Sequence, residues 1–397
     1  MTLKNIKSTE NRFILLITFF ILIQFQTYGQ EIRKVVMGTK FRMESKILNE
    51  ERTYIVGLPK SYHESSNTYP VLILLDGESN FPVLSGMIDK MTDRQIPEMI
   101  IVAIVNTDRT RDFTPTNSVI FLDGSEKPQY QKTSGGSEAF LGYLEKELLV
   151  EIDKVYRTNS YKTLVGHSYG GLLAGLSYLS DDSSFDSFIA IDPSFWWDNQ
   201  IILKDVDSAN IERLKSKKFY ISSAYNYKTW KNFGLTRKSQ DLFFAELQNK
   251  NILSPNLKLQ YFEEENHWTV PTLSFYYGLK FIYKDFYMAD IETKSIEDIV
   301  SYYKNRFGGK FSPPENIINS LGYGYLDTGK EEDKDKALEF FQLNVSNYPD
   351  SYNAFDSLGD AYMTIGDKKR ALENFEKSLK LNASNENAKR MINKLKN

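Results

Sequence analysis

The sequence predicts an α/β fold built on a central, mostly parallel sheet and followed by a small all-α region. Three observations carry that reading. Short β-branched apolar runs alternate with stretches of helical periodicity; a glycine-flanked serine lies between one such run and a helix; and strand patterns stop at Ile291. Wholly apolar runs belong to strands buried on both faces, and strands alternating with helices imply βαβ units with right-handed crossovers.

The chain has 397 residues, of which 41% are hydrophobic and 25% charged, enough apolar content for a full core and for two or three structural units. A formal net charge of −3 and the lack of any basic stripe argue against a nucleic-acid partner. Residues 1–29 have the layout of a secretory signal peptide. Lys4, Lys7 and Arg12 precede an apolar run from Phe13 to Phe25, and small residues Thr27 and Gly29 follow. That run is shorter than the roughly 20 residues needed to cross a bilayer, so no stable membrane span is expected after cleavage. The chain has no cysteine to carry a lipid or a disulfide, which fits a periplasmic or secreted protein of a bacterial envelope.

A first domain is expected over 30–290. Val71–Leu75 and Ile100–Val105 read as buried strands. Ser137–Val155 reads as a helix, with Phe140, Leu141, Leu144, Leu148 and Ile152 on one stripe. Tyr161–Gly166 is a strand, Gly170–Leu179 a helix rich in small residues, and Phe188–Ile191 and Phe219–Ser222 are further strands. Leu235–Gln248 is a helix, and Leu257–Phe262 the last strand. From 291 to 397 the chain reads as helical pieces. Leu-Gly motifs at Leu321 and Leu358 are each followed by Ala-Leu-Glu-x-Phe, at Ala337 and Ala371. The second motif recurs after 34 residues, the tetratricopeptide period, and the first after 37. Two such repeats are fewer than the three a free-standing stack needs, so this tail is expected to dock on the first domain or to recruit Ser295–Arg306 as an extra helix.

Gly166-His-Ser-Tyr-Gly170 matches G-x-S-x-G in the strand–turn–helix setting that lifts a serine above the strand ends and places it at a helix N-terminus. Ser168 is therefore the candidate nucleophile. Of three histidines, His63 lies in a polar loop and His167 adjoins the serine, where it shapes the turn or lines the pocket. His267, just after the last strand, is in the right place for a general base in the order nucleophile, acid, base. The acid usually follows the penultimate strand, where Ala224-Tyr-Asn-Tyr-Lys has no carboxylate. Glu265 and Glu263 rank ahead of Asp241 for that role, and a Ser–His pair without an acid is the alternative. Oxyanion donors are expected from the backbone amides of Tyr169 and of Gly77, the glycine allowing close approach to a substrate carbonyl. No metal or organic cofactor is called for.

Five segments occur in order: Leu74-Leu-Asp-Gly-Glu-Ser-Asn-Phe, Asn106-Thr-Asp-Arg-Thr-Arg-Asp-Phe-Thr-Pro, Gly166-His-Ser-Tyr-Gly-Gly-Leu, Asp192-Pro-Ser-Phe-Trp-Trp and His267-Trp-Thr-Val-Pro. Over roughly residues 32–287 the chain thus resembles the putative-esterase family of α/β-hydrolases, which includes esterase D and the enterobactin-type trilactone esterases. The resemblance implies an α/β-hydrolase fold and a serine carboxylic-ester hydrolase acting through an acyl-enzyme. It also implies Trp196, Trp197, Arg109 and Arg111 as substrate contacts. Asp192 stands where that family commonly has serine, and Trp268 where a small residue is usual. Siderophore lactones and acylated carbohydrates are candidate substrates. The alternatives are a non-catalytic protein whose repeat tail binds a protein partner, and an acyltransferase using the same residues.

Overall fold

Eight strands form one sheet in the order β1-β2-β4-β3-β5-β6-β7-β8 in a computed structural model that describes residues 36–63, 65, 67–92, 95–225, 234–253, 255–284, 286–307 and 311–396. The strands are β1 Thr39–Ser45, β2 Glu50–Gly57, β3 Tyr69–Leu74, β4 Ile100–Ile104, β5 Thr158–His167, β6 Ser187–Ile191, β7 Lys218–Ala224 and β8 Leu257–Phe262. Pairing is antiparallel from β1 through β2 to β4 and parallel from β4 to β8, the α/β-hydrolase arrangement. The six expected strands lie in its parallel part. β1 and β2 were not anticipated, because Thr-Lys-Phe-Arg-Met-Glu-Ser alternates weakly and β2 carries a charge that looks exposed. Arg52 is instead fully buried, on Asp112 and Glu50 at 2.7 Å each and with Phe140 and Tyr143 against its guanidinium. The leader expected at 1–29 lies outside the described residues. Among those residues no helix is long and apolar enough to cross a membrane.

The longer helices are α1 Gly77–Met91, α2 Ser137–Tyr143, α3 Leu149–Val155, α4 Tyr169–Leu179, α5 Gly234–Asn249 and α6 Val270–Ile282. A π turn, Leu144–Leu148, joins α2 to α3, so the helical stripe holds: Phe140, Leu144, Leu148 and Ile152 are all fully buried. One core layer forms around α2 to α5, and the other around α1 and α6 on the opposite face of the sheet.

Five more helices follow: α7 Ile296–Phe307, α8 Glu315–Leu326, α9 Glu331–Asn347, α10 Tyr352–Thr364 and α11 Lys368–Leu381, before a last α12 Glu386–Lys396 closes the chain. Their start is inseparable from the sheet. Ile299, Tyr303 and Phe307 of α7 share a core with Tyr161, Tyr220 and α6. The Phe307 ring lies 6.0 Å from Tyr161 and 5.4 Å from Phe286, and the Tyr303 hydroxyl donates to the Phe286 carbonyl at 2.7 Å. From Gly38 onward the chain is one compact unit. The repeated motifs have a packing cause: a Cβ at Gly322 would come within 2.7 Å of the Phe341 ring, and one at Gly359 within 2.7 Å of Phe375. Each Leu-Gly pair thus admits the phenylalanine of the following Ala-Leu-Glu-x-Phe.

Candidate active site

The turn after β5 builds the site. Ser168 has φ 59° and ψ −115°, a conformation that costs a non-glycine residue about 1–3 kcal/mol and persists only where its surroundings enforce it. Enforcement is visible on both sides: the Ser168 amide donates to Ile191 at 2.9 Å, and its carbonyl accepts from Ser194 and Leu172 at 3.0 Å each. Gly166 is obligatory, since a Cβ there would lie 2.1 Å from the Gly170 oxygen. At Gly170 the nearest atoms would be at an ordinary 3.4 Å, so of the two glycines only Gly166 is required by a collision across the turn. The Ser168 hydroxyl lies 3.3 Å from that of Ser194, a residue of the Asp192-Pro-Ser segment.

His267 follows β8 and is buried. Its Nδ1 lies 2.6 Å from Asp192 Oδ2. A carboxylate there makes Nδ1 the protonated nitrogen and Nε2 the basic one. The expectation had Glu265 in this position, and the structure puts Asp192 there instead. The physical reason is register. β6 ends beside β7, which in turn pairs with β8, and Asp192 adopts a left-handed φ of 38° immediately beyond β6. The fully buried Asp192 carboxylate also accepts from the Ala224 amide at 3.1 Å and Gln240 Nε2 at 3.0 Å, and Gln240 spans to the Pro193 carbonyl at 3.0 Å. Glu265 contributes its backbone carbonyl to the Tyr225 amide at 2.8 Å. Glu263 pairs with Arg237 at 2.9 Å, and Asp241 accepts from the Tyr261 hydroxyl at 2.6 Å. Asn226 lies outside the described residues.

Gly77 and Tyr169 open α1 and α4, so their amides have no carbonyl one turn earlier and are free to serve an anion. Glycine at 77 has a different cause from the one expected: a Cβ would lie 2.7–2.8 Å from Ala103 and the Ile104 nitrogen, so the close approach is to β4. Arg109 joins the two turns. Its Nε and Nη2 donate to Asp76 at 2.6 and 3.0 Å, and Nη2 also donates to the His167 carbonyl at 2.9 Å. Arg109, which the resemblance implies as a substrate contact, thus acts as a strut between the serine turn and the Gly77 turn.

Two further expected contacts move as well. Arg111 holds Glu50 through two bonds of 3.0 and 2.6 Å and Asp112 through one of 2.8 Å, and keeps the Glu50 carboxyl below its ordinary range. Trp197 is fully buried and donates to the Thr116 hydroxyl at 3.1 Å, making it core. Trp196 is half-buried, 5.4 Å from Phe121 and 6.1 Å from Tyr169. Adjacent tryptophans split this way because a turn directs neighbouring side chains apart. Trp268, beside His267 with ring centroids 5.2 Å apart, is 73% exposed. Among the described residues no group of three or more His, Asp or Glu is placed to hold a metal ion.

Comparison with known proteins gives the same fold a context. Residues 45–233 match the family model described as "Putative esterase". A solved IroE-like serine hydrolase from Shewanella oneidensis is 31% identical, covering 76% of this chain and 98% of its own, with a TM-score of 0.67. The ferri-bacillibactin esterase BesA of Bacillus subtilis is 32% identical over 189 residues, which are 43% of this chain and 64% of that protein. The match therefore spans somewhat less than two thirds of that curated relative. A Capnocytophaga ochracea structure, 16% identical with a TM-score of 0.56, shares the fold over 90% of this chain, well into the helical tail.

Proposed function

This chain belongs to the putative-esterase family, and we propose that it is a serine esterase in which Ser168, His267 and Asp192 work as a triad. The observation that carries the reading is the 2.6 Å bond between His267 Nδ1 and a fully buried Asp192 beside a strained serine elbow. His267 Nε2 takes the Ser168 proton as Oγ attacks the ester carbonyl. Charge gathers on the carbonyl oxygen, where the Tyr169 and Gly77 amides at two helix N-termini oppose it. Collapse breaks the ester C–O bond, the imidazolium returns its proton to the departing alcohol, and an acyl group remains on Ser168. Water repeats the sequence and releases the acid. Asp192 holds the imidazole in one tautomer and stabilises its charged form without taking the proton.

The substrate class that best fits the relatives' names is a siderophore-type ester or lactone, met in the periplasm or outside the cell if residues 1–29 direct export. The half-buried Trp196, against Tyr169, and the exposed Trp268, against His267, provide flat apolar surfaces near the elbow for the acyl or alcohol portion. We read α8 to α11 as two tetratricopeptide-like helix pairs. The direct test is labelling with a fluorophosphonate and turnover of p-nitrophenyl butyrate. Wild type should do both. Ser168→Ala should do neither, losing at least about 10⁴-fold in kcat. Equal turnover by the two proteins would sink the assignment.

A further inference from the structure

His167 is unexplained by the triad, yet its ring centroid lies 4.4 Å from that of His267, with the planes tilted by 41°. The neighbour of the nucleophile therefore turns under the base rather than away from the site. Its backbone is fixed as firmly as the serine's: it ends β5 beside Ile191 of β6, and Arg109 holds its carbonyl. Its Nε2 is buried with no hydrogen-bond partner, so hydrogen bonding at that nitrogen is not the reason for the residue. We propose that His167 is a positioning residue, whose ring is the platform against which His267 is held and on which the imidazolium forms. The proposal rests on the triad reading above.

A platform of this kind works only if it does not itself become charged. Burial, and then the adjacent His267, push the His167 imidazole down to about 3, so it stays neutral while the base cycles. The charged groups around the pair are consistent with this division. Asp192, at the end of β6, meets the edge of His267. Asp76 and Arg109 act on His167 from the turn after β3 and the short helix Arg109–Phe113, and are paired with each other. From α5 the nearest groups are the uncharged Gln240, on Asp192, and Arg237, paired with Glu263. His267 thus has a carboxylate at one edge and the neutral ring of His167 packed against it, the surroundings in which an imidazolium would form.

The test uses the full-length protein with His167→Leu, which removes the π face, and His167→Phe, which keeps it. The pH dependence of kcat/KM on p-nitrophenyl butyrate is the readout, with wild type active and Ser168→Ala inactive as the separate check on the triad reading. His167→Leu should lose about 3- to 30-fold, the worth of a partly desolvated cation–π contact. Its acid limb should move roughly half to one unit toward lower pH, because the imidazolium of His267 has lost support. His167→Phe should stay within about 3-fold of wild type with the limb in place. If Leu and Phe variants share one pH limb, the platform is disproved. Imidazole NMR of the wild type reads the same point without substitution. The sequence has three histidines, and His167 should stay neutral from pH 5 to 8; its titration in that range would also overturn the proposal.

Discussion

The two ends of the sheet are built on opposite principles. At the carboxyl ends of β5, β6 and β8 the structure spends strain and buried polarity: Ser168 and Asp192 both sit at positive φ, and a fully buried carboxylate is held by an imidazole, an amide and a glutamine. At the amino ends the same strands meet an almost purely aromatic joint, where Tyr161, Tyr283, Phe286, Tyr303, Phe307 and Phe311 interlock between sheet and tail. Beside that joint a cavity of about 450 Å³ opens between Tyr69, Asn159, Glu315 and Tyr348, far from the elbow along the strands. Polar geometry carries the chemistry at one end and apolar area carries stability at the other, so the two should fail separately.

The largest expected effect is at the carboxyl end. Asp192→Asn should lower kcat by about 10⁴-fold while leaving the unfolding midpoint nearly unchanged, because it removes the charge that fixes the His267 tautomer. Glu265→Gln should leave kcat within about 2-fold, since its contribution is a backbone carbonyl. Reversed magnitudes in steady-state kinetics would return the acid to the loop before His267. The counterpart at the amino end is Phe307→Ala. It should cost about 3–5 kcal/mol in urea unfolding, with kcat per titrated active site unchanged. A fall in kcat of the folded fraction would show that the two ends are coupled.

Smaller effects sharpen the division within the site. Arg109→Met should lower kcat/KM by about 10- to 100-fold with little dependence on the acyl group, because it loosens the strut between two turns and removes no substrate contact. A loss confined to anionic or catecholic esters would restore Arg109 as a binding residue. The smallest effect at neutral pH is on stability, and it appears only as pH falls. The folded-state pKa of His167 lies far below that of an ordinary histidine, so the unfolded chain binds the extra proton first. Wild type should therefore lose stability relative to His167→Phe as pH falls from about 6.5 toward about 3, and the two should run parallel above that window. Parallel melting curves throughout would show that His167 is not buried neutral.

Much of this division was readable from local sequence and the rest was not. Ser168 was legible because every feature an elbow needs lies within a few residues: an apolar strand, Gly166 and a small-residue helix. His267 was legible by its order after the last strand. Asp192 lies within Asp-Pro-Ser, but it follows β6, whereas the usual place for the acid is after the penultimate strand, β7. An aspartate closing the strand next to the nucleophile's own strand was the signal that could have found it. Trp196 and Trp197 were indistinguishable for a similar reason, since no periodicity governs a turn.

By itself the sequence determined the alternation of strands and helices, the place of the serine elbow, and the repeated Leu-Gly and Ala-Leu-Glu-x-Phe motifs whose glycines meet Phe341 and Phe375. Those features follow from backbone sterics and burial periodicity, which act over a turn or a strand. Only the tertiary structure decided which carboxylate meets His267, that His167 lies beneath it, and that Arg109 and Arg111 are struts. Each depends on groups from strands and turns far apart in the chain, brought into contact only when the fold is complete; the hydrogen bonds among them are decided at about 3 Å, a distance that local sequence does not set.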